Sequence, residues 1–420
     1  MNITTLGEPR FDSPLHSSRT VNDQVRIPAH IVRAPAGLPQ EDILFEIAGP
    51  RSKLFFDPPQ TRAGIVTCGG LCPGLNNVIR SLFLELRYAY RVAEVFGFRC
   101  GYQGLDPASG LEPFSLTREF VHDIHKQGGT ILGTSRGPVD IAAAVNNLIR
   151  LQVNMLFTIG GDGTQRGANA LYEEARRRGY ALSVVGIPKT VDNDVKFVAR
   201  TFGYLTAMEE ACRVIDCAHT EARSVQNGIA LVKLMGRHAG FIAAGATLAS
   251  QDVNFVLIPE VPFKLDGQGG FLAALQRRIL KRSHAVVVVA EGAGQDLLPQ
   301  GEAERDASGN LKLKNIGPFL RERIERHFKA ANIPMVLRYF DPSYSIRSRP
   351  ANAEDAIQCD FFARNAVHAA MAGKTDLVIG MLHDTFIHVP IEMAKPKRLN
   401  PDNFWWQEVL ATTGQSARFE

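Results

Sequence analysis

The chain has 420 residues, of which 45% are apolar and 21% charged, so it can fill two domain-sized cores and is not broadly disordered. Lys and Arg number 47 against 43 Asp and Glu, an excess too small to signal a nucleic-acid partner, although a few well-placed cations can still make one pocket positive. The first residues contain no apolar signal segment and no run of 18 apolar residues occurs, so neither secretion nor a membrane span is expected. The six cysteines, Cys68, Cys72, Cys100, Cys212, Cys217 and Cys359, form neither a disulfide pattern nor a zinc pattern, which suits a cytoplasmic protein.

In chain order, residues 1–60 are rich in Pro, Ser and Arg and weakly periodic. They read as an N-terminal extension over the main body, with a short helix near Gln40–Glu46. From residue 61 apolar strands alternate with amphipathic helices. Gly64–Thr67 leads into Cys68-Gly69-Gly70-Leu71-Cys72-Pro73-Gly74 and a helix from Leu75. Val153–Ile159 runs into Gly160-Gly161-Asp162-Gly163-Thr164, with a helix expected over Gln165–Arg178. Leu182–Ile187 precedes Pro188-Lys189-Thr190-Val191-Asp192-Asn193-Asp194. Gly228–Leu234 leads to Met235-Gly236-Arg237, and His284–Ala290 leads to Glu291-Gly292. Such wholly apolar strands predict mainly parallel sheets covered on both faces, and ligands bind outside the carboxyl ends of strands in sheets of this kind.

The glycines after Thr67 would let backbone N–H groups approach a phosphate, with the next helix adding its positive end. The same turn could equally serve helix packing, and no GxxxxGK[ST] loop is present. Asp162, set among small residues, can hold Mg²⁺ on a polyphosphate or simply cap its helix. Phosphoryl transfer to an alcohol also needs a base. Asp192 is the candidate, and Asp194 could orient it or reach the metal through water. Arg136, Arg237, Arg338 and Arg347 lie at strand or loop ends, where guanidinium groups can grip phosphate with two bonds; nothing assigns a role to His238.

Together CGGLCPGLN, GGTILGTSRG, IGGDGT, PKTVDND, KLMGR, VVVAEG and PSYSIR, spread over residues 62–395, resemble the phosphofructokinase family. The resemblance implies two doubly wound, Rossmann-like α/β lobes with the active site in the cleft between them. One lobe would comprise residues 61–203 and 346–396, the other 204–345 and 397–420. It implies an allosteric glycolytic kinase that phosphorylates fructose 6-phosphate with magnesium ATP. The nucleotide would lie on Gly70, Tyr102, Arg136, Gly137, Gly161, Asp162, Gly163 and Thr164, with Asp162 on the metal. Asp192 would act as base with Thr190, Asp194 and Arg237 as catalytic partners. Thr190, Val191, Asp192, Met235, Gly236, Arg237, Glu291, Tyr344, Ser345, Ile346 and Arg347 would bind the sugar phosphate. Arg338 would reach the phosphate in a neighbouring subunit of a dimer or tetramer.

Lys189, Gly228, Tyr344 and the N-terminal extension depart from the best-known bacterial members and resemble the branch shared by plant, trypanosome and some bacterial enzymes. That branch mixes ATP and pyrophosphate users. The latter resemble GGDD, with a second carboxylate where the α-phosphate of ATP would lie; here that position is Gly163. A like-charge contact at about 4 Å costs about 4 kcal/mol at an effective dielectric near 20, so the open position favours ATP, while Lys189 suits either donor. A pyrophosphate-dependent enzyme is the alternative. A non-catalytic subunit of the same fold would be expected to lack Asp162, Asp192 or Arg237, all present here, and NAD or lipid kinases that share GGDGT do not account for the other motifs.

Overall fold

The computed structural model describes residues 2–15, 20–32, 42–299, 304–305 and 311–420. The chain forms two compact units. The first comprises Met1–Thr190, Val195–Gly203 and Ser348–Pro396; the second comprises Val191–Asp194, Tyr204–Arg347 and Lys397–Glu420.

In chain order the first unit lays down β1 (Phe11–Asp12), β2 (Arg26–Pro28), β3 (Leu44–Ile47), β4 (Lys53–Leu54), β5 (Arg62–Thr67), β6 (Glu94–Gly97), β7 (Phe114–Ser115), β8 (Met155–Gly160) and β9 (Ser183–Pro188). The second contributes β10 (Gly228–Leu234), β11 (Phe255–Leu257), β12 (His284–Ala290) and β13 (Val336–Phe340), before the chain returns to the first for β14 (Leu377–Leu382) and β15 (Thr385–Pro390).

Among the described residues the large sheet has nine strands in the order β2-β3-β15-β14-β9-β8-β5-β6-β7. Its centre is parallel: β6 and β8 flank β5, then β9 and β14 follow. Every residue of β8 and β9 is buried, which is why these strands carry apolar runs rather than alternation. From β5 the chain goes first to one side, at β6, and then to the other, at β8. The order therefore reverses at β5, where the carboxyl ends of β5 and β8 deliver the two glycine-rich segments. In the second unit a parallel sheet of four strands runs β11-β12-β10-β13, and the order reverses at β10. Its core gathers Leu231, Phe255, Phe271, Val287, Ile324 and Phe328, together with Phe419 from the C-terminal stretch.

The N-terminal segment corrects one expectation. Of the helix expected near Gln40–Glu46, residues 40 and 41 lie outside the described residues, and the remainder leads into strand β3. The run Ile43-Leu44-Phe45 fits either period over so short a length; pairing decides, with Ile47 and Glu46 in antiparallel register with Ile387 and His388 of β15. Phe45 is wholly buried in a small core with Ala29, Ile387 and Val389.

A buried charge cluster fixes this segment. The Glu46 carboxylate accepts from Lys374 Nζ at 2.7 Å, Arg51 Nη2 at 2.9 Å and His388 Nδ1 at 2.7 Å, and Asp23 joins through Arg51 and Lys374. Burial works to raise the Glu46 pKa, but the bonds from His388 and Lys374 outweigh it and carry it down to about 2. Burial holds His388 neutral even here, so its contact is a hydrogen bond and Arg51 and Lys374 supply the charge. Because the folded pKa is depressed, the stabilisation is full above the unfolded value of roughly 4.3 and is lost as pH falls toward 2. Glu46→Gln should cost about 1.5–3 kcal/mol in thermal or urea unfolding at neutral pH, with the gap to the parent closing below about pH 4.

Candidate functional site

In the first unit, strand ends place the phosphate-binding candidates. After β5, Gly69 has φ +82° and Gly74 has φ +96°, left-handed values that favour glycine, and Gly74 caps the helix Leu75–Leu84. Hydrogen bonds lash the Gly133–Gly137 segment to this turn: Gly69 N–H donates to Ser135 O at 3.2 Å, and Thr134 Oγ1 donates to Gly69 O at 2.6 Å. Arg136 and Gly137 are thereby brought beside the Gly69–Gly70 turn and stay exposed. From β9, Lys189 is 6% exposed and donates from Nζ to Gly70 O at 2.5 Å. Cys68 and Cys72 are buried, Cys72 Sγ donates to Phe202 O at 3.3 Å, and burial pushes the Cys68 thiol up to about 12.

The segment Asp162-Gly163-Thr164 is not a loop. The helix expected from Gln165 begins at Asp162 and runs to Arg177, with Gly161 at its N-cap. Thr164 N–H already donates to Gly161 O at 2.9 Å, so the Asp162 and Gly163 N–H groups, with no carbonyl one turn back in the helix, are the ones suited to phosphate oxygens, and the helix dipole favours the Asp162 carboxylate. Asp162 and Gly163 are exposed, Asp162 pairs with Arg166 one turn along, and Thr164 is buried. Tyr102, expected at the nucleotide, is 8% exposed, its hydroxyl donates to Thr164 O at 2.6 Å, and a Cβ on Gly167 would lie 2.4 Å from its ring. It supports this turn from beneath.

Among the described residues no group of three or more His, Cys, Asp or Glu side chains could hold a metal. Mg²⁺ is commonly held by one or two carboxylates with substrate phosphates and water, and Asp162 is an exposed oxygen donor of that type at a helix start.

The second unit gathers a different set. The Asp192 loop belongs to it, whereas Thr190, whose carbonyl accepts from Thr201 Oγ1 at 2.7 Å, ends a segment of the first unit. In-register pairing of Leu234 with Ala290 sets Met235, Gly236 and Arg237 beside Glu291, and Gly292 N–H donates to Gly236 O at 3.0 Å. Arg237 N–H donates to Asp192 Oδ2 at 3.3 Å. Lys233 Nζ pairs with Asp341 at 2.7 Å, and the Arg347 guanidinium lies over Tyr344, 4.7 Å from the ring centre. Glu291 is raised by burial, with Lys233, Arg237 and Arg347 opposing and Asp341 adding. Asp192 stands well above the usual carboxylate range, first through burial and then through Asp194 and Glu291, against the pull of the Arg237 N–H and charge.

Tyr344 and Ser345 are exposed, while Val191 and Ile346 bury their side chains and offer a ligand only main chain. Arg338 is not brought to this group; it points outward from the middle of β13 and pairs with Glu221 at 3.6 Å. Nearby, a Cβ on Gly228 would lie 2.0 Å from Ala222 O, so the backbone forbids a side chain there. Sequence reasoning missed Lys233, Asp341, Glu260 and Lys397. Lys233 alone had a signal, as the one charged residue of the apolar strand GIALVKL. Lys397 donates from its backbone N–H to Asp194 O at 2.7 Å.

The phosphofructokinase family model matches residues 62–370. A Borreliella burgdorferi protein named ATP-dependent 6-phosphofructokinase is 47% identical over 429 residues, covering 98% of this chain and 96% of its own length. An Arabidopsis thaliana protein named ATP-dependent 6-phosphofructokinase 7 is 43% identical over 99% of this chain and 86% of its own length. A Trypanosoma cruzi protein of the ATP-dependent name is 48% identical over 88% of this chain and 77% of its own. A crystal structure of a pyrophosphate-dependent phosphofructokinase from Marinobacter aquaeolei superposes with a TM-score of 0.69 at 20% identity, over 84% of this chain and 91% of its own, a likeness of fold.

Proposed function

The chain belongs to the phosphofructokinase family, and on that premise we propose that it transfers the γ-phosphoryl group of ATP to the 1-hydroxyl of fructose 6-phosphate, giving fructose 1,6-bisphosphate and ADP. The observation that carries the choice of donor is Gly163. It is exposed, and a Cβ there would meet nothing closer than Arg166 Nη2 at 3.8 Å, leaving room where a second carboxylate would repel the α-phosphate. The likeness to ATP-dependent relatives over nearly the full chain supports the same donor.

In this reading the first unit holds ATP on Gly70, Arg136, Gly137 and the helix start Gly161–Thr164, with Lys189 fixing the glycine turn through Gly70. Asp162 would hold Mg²⁺, which when bound neutralises charge on the phosphates. In the second unit Arg237, Glu291, Tyr344 and Arg347 bind the sugar phosphate, and Asp192 accepts the proton of the 1-hydroxyl at a carboxylate oxygen. Its elevated pKa strengthens it as a base once deprotonated. Arg338, exposed and in register with Ala230 rather than with the end of β10, suits a phosphate in a neighbouring copy, which supports reading the working enzyme as a homo-oligomer. No described helix is long and apolar enough to cross a membrane, and the sparse cysteines suit the reducing cytoplasm.

The test is a coupled assay for fructose 1,6-bisphosphate with ATP and pyrophosphate compared at equal magnesium. A higher kcat/KM with ATP than with pyrophosphate is expected, because only ATP can use binding contacts beyond the two transferred-end phosphates. Preference for pyrophosphate would overturn the donor, and no product with either would overturn the reaction.

A further inference from the structure

The candidate base sits on a turn that belongs to the second unit while Thr190 before it and Val195 after it belong to the first. Four residues cannot form a core of their own, so bonds to the second unit must set where Asp192 stands. One is the Arg237 N–H on Asp192 Oδ2. Others come from a segment beyond the family-matched residues 62–370, in the C-terminal stretch.

Lys397 donates its backbone N–H to Asp194 O at 2.7 Å, and its Nζ lies 3.4 Å from Asn193 Oδ1. The Asp194 charge acts on the same ammonium, which also lies over the Phe241 ring, 5.3 Å from its centre. Asn193 has φ +53°, a left-handed conformation that asparagine adopts more readily than other non-glycine residues and that sets the shape of the turn. Two residues on, Leu399 N–H donates to Glu260 Oε1 at 2.8 Å, and the same carboxylate accepts from Gly240 N–H at 2.9 Å. Gly240 is the N-cap of the helix Phe241–Ser250 and follows Arg237 by three residues. Lys397 and Leu399 thus tie the base turn to the segment that carries Arg237.

We propose that Lys397 is a positioning residue for the phosphoryl-transfer reaction, its ammonium and backbone N–H holding the Asp192-Asn193-Asp194 turn so that Asp192 stays in register with Arg237. It touches no substrate. It acts through the turn, and this inference rests on Asp192 being the base of the proposed reaction. A bland alternative is that Lys397 only compensates a half-buried Asp194, in which case its loss lowers stability and leaves turnover per folded molecule unchanged.

The experiment measures Lys397→Met and Lys397→Arg beside the parent and Asp192→Asn, using full-length enzyme at a temperature where each is folded by circular dichroism. Expected for Lys397→Met is a kcat lower by about 10- to 100-fold, the scale of a 1 Å misplacement, with KM for fructose 6-phosphate and ATP within about twofold. Lys397→Arg, which keeps a cationic donor, should return to within about fivefold of the parent. If Lys397→Met does not fold, Lys397→Gln is measured against the same criteria. A folded Met or Gln variant with kcat within about threefold of the parent overturns the inference, as does an Arg variant as impaired as the Met one. A parent that makes no fructose 1,6-bisphosphate, or an Asp192→Asn variant that turns over normally, removes instead the reading beneath it.

Discussion

Asp192→Asn should lower kcat by about 10³- to 10⁴-fold while leaving fructose 6-phosphate binding within about threefold, because a general base contributes on that scale only in the transition state. The amide keeps the shape of the carboxyl and can still accept from Arg237 N–H through its carbonyl oxygen, so the turn stays in place. What it loses is proton affinity. Asp192 is raised by burial and by the charges of Asp194 and Glu291, so kcat/KM of the parent should fall with acid well above the ordinary carboxylate range, and Asp192→Asn should lack that limb.

The same shift predicts stability. A carboxyl whose folded pKa is raised has its charged form disfavoured by the fold, so its burden grows as pH rises from the unfolded pKa through the folded one. Removing the charge should leave the melting temperature at or above that of the parent at neutral pH. Lost turnover with unimpaired melting and retained sugar-phosphate binding by calorimetry is the expected triple; turnover within about tenfold of the parent would take Asp192 out of the chemistry.

Much of this site could be read from residue order because the physics is local. Strands β8, β9, β10 and β12 are buried along nearly their whole length and are apolar almost throughout, Lys233 with its partner Asp341 being the charged exception, which marks their ends; Asp162, Asp192, Arg237 and Glu291 follow those ends, where the chain leaves the core. Local pattern failed where pairing or packing at a distance decides. Whether Asp162 starts a helix or lies in a loop depends on the Gly161 carbonyl, which accepts from Thr164 and Gln165 N–H at 2.9 and 3.1 Å, and Gly163 disguised that turn. Strand β3 exists because β15, more than three hundred residues later in the chain, offers it an edge. Tyr102 carried a motif but not its burial. Lys397 and Glu260 carried no motif; their meaning comes from contacts with Asn193, Asp194 and Gly240, and nothing in the surrounding residues announces them.

Placing a carboxylate at position 163 tests the donor reading with little risk to the fold. The position is exposed, its φ is not left-handed, and a Cβ finds open space out to Arg166 Nη2 at 3.8 Å. Replacing glycine in the first turn of a helix also helps the helix, through propensity and through the favourable end of the dipole. Gly163→Asp should therefore melt no lower than the parent. Its kcat/KM for ATP should nevertheless fall by about 10²- to 10³-fold, since a like-charge contact near 4 Å is worth about 4 kcal/mol at an effective dielectric of 20. Arg166, which already pairs with Asp162, can offset part of this, but an exposed ion pair supplies only about 1 kcal/mol and leaves most of the repulsion standing. Pyrophosphate has no third phosphate to meet the new charge, so any activity with it should fall far less, and the ratio of the two donors reads the α-phosphate contact separately from general damage. An unchanged KM for ATP in a folded Gly163→Asp enzyme would mean that the nucleotide does not pass this position, and the reason for preferring ATP on physical grounds would be gone.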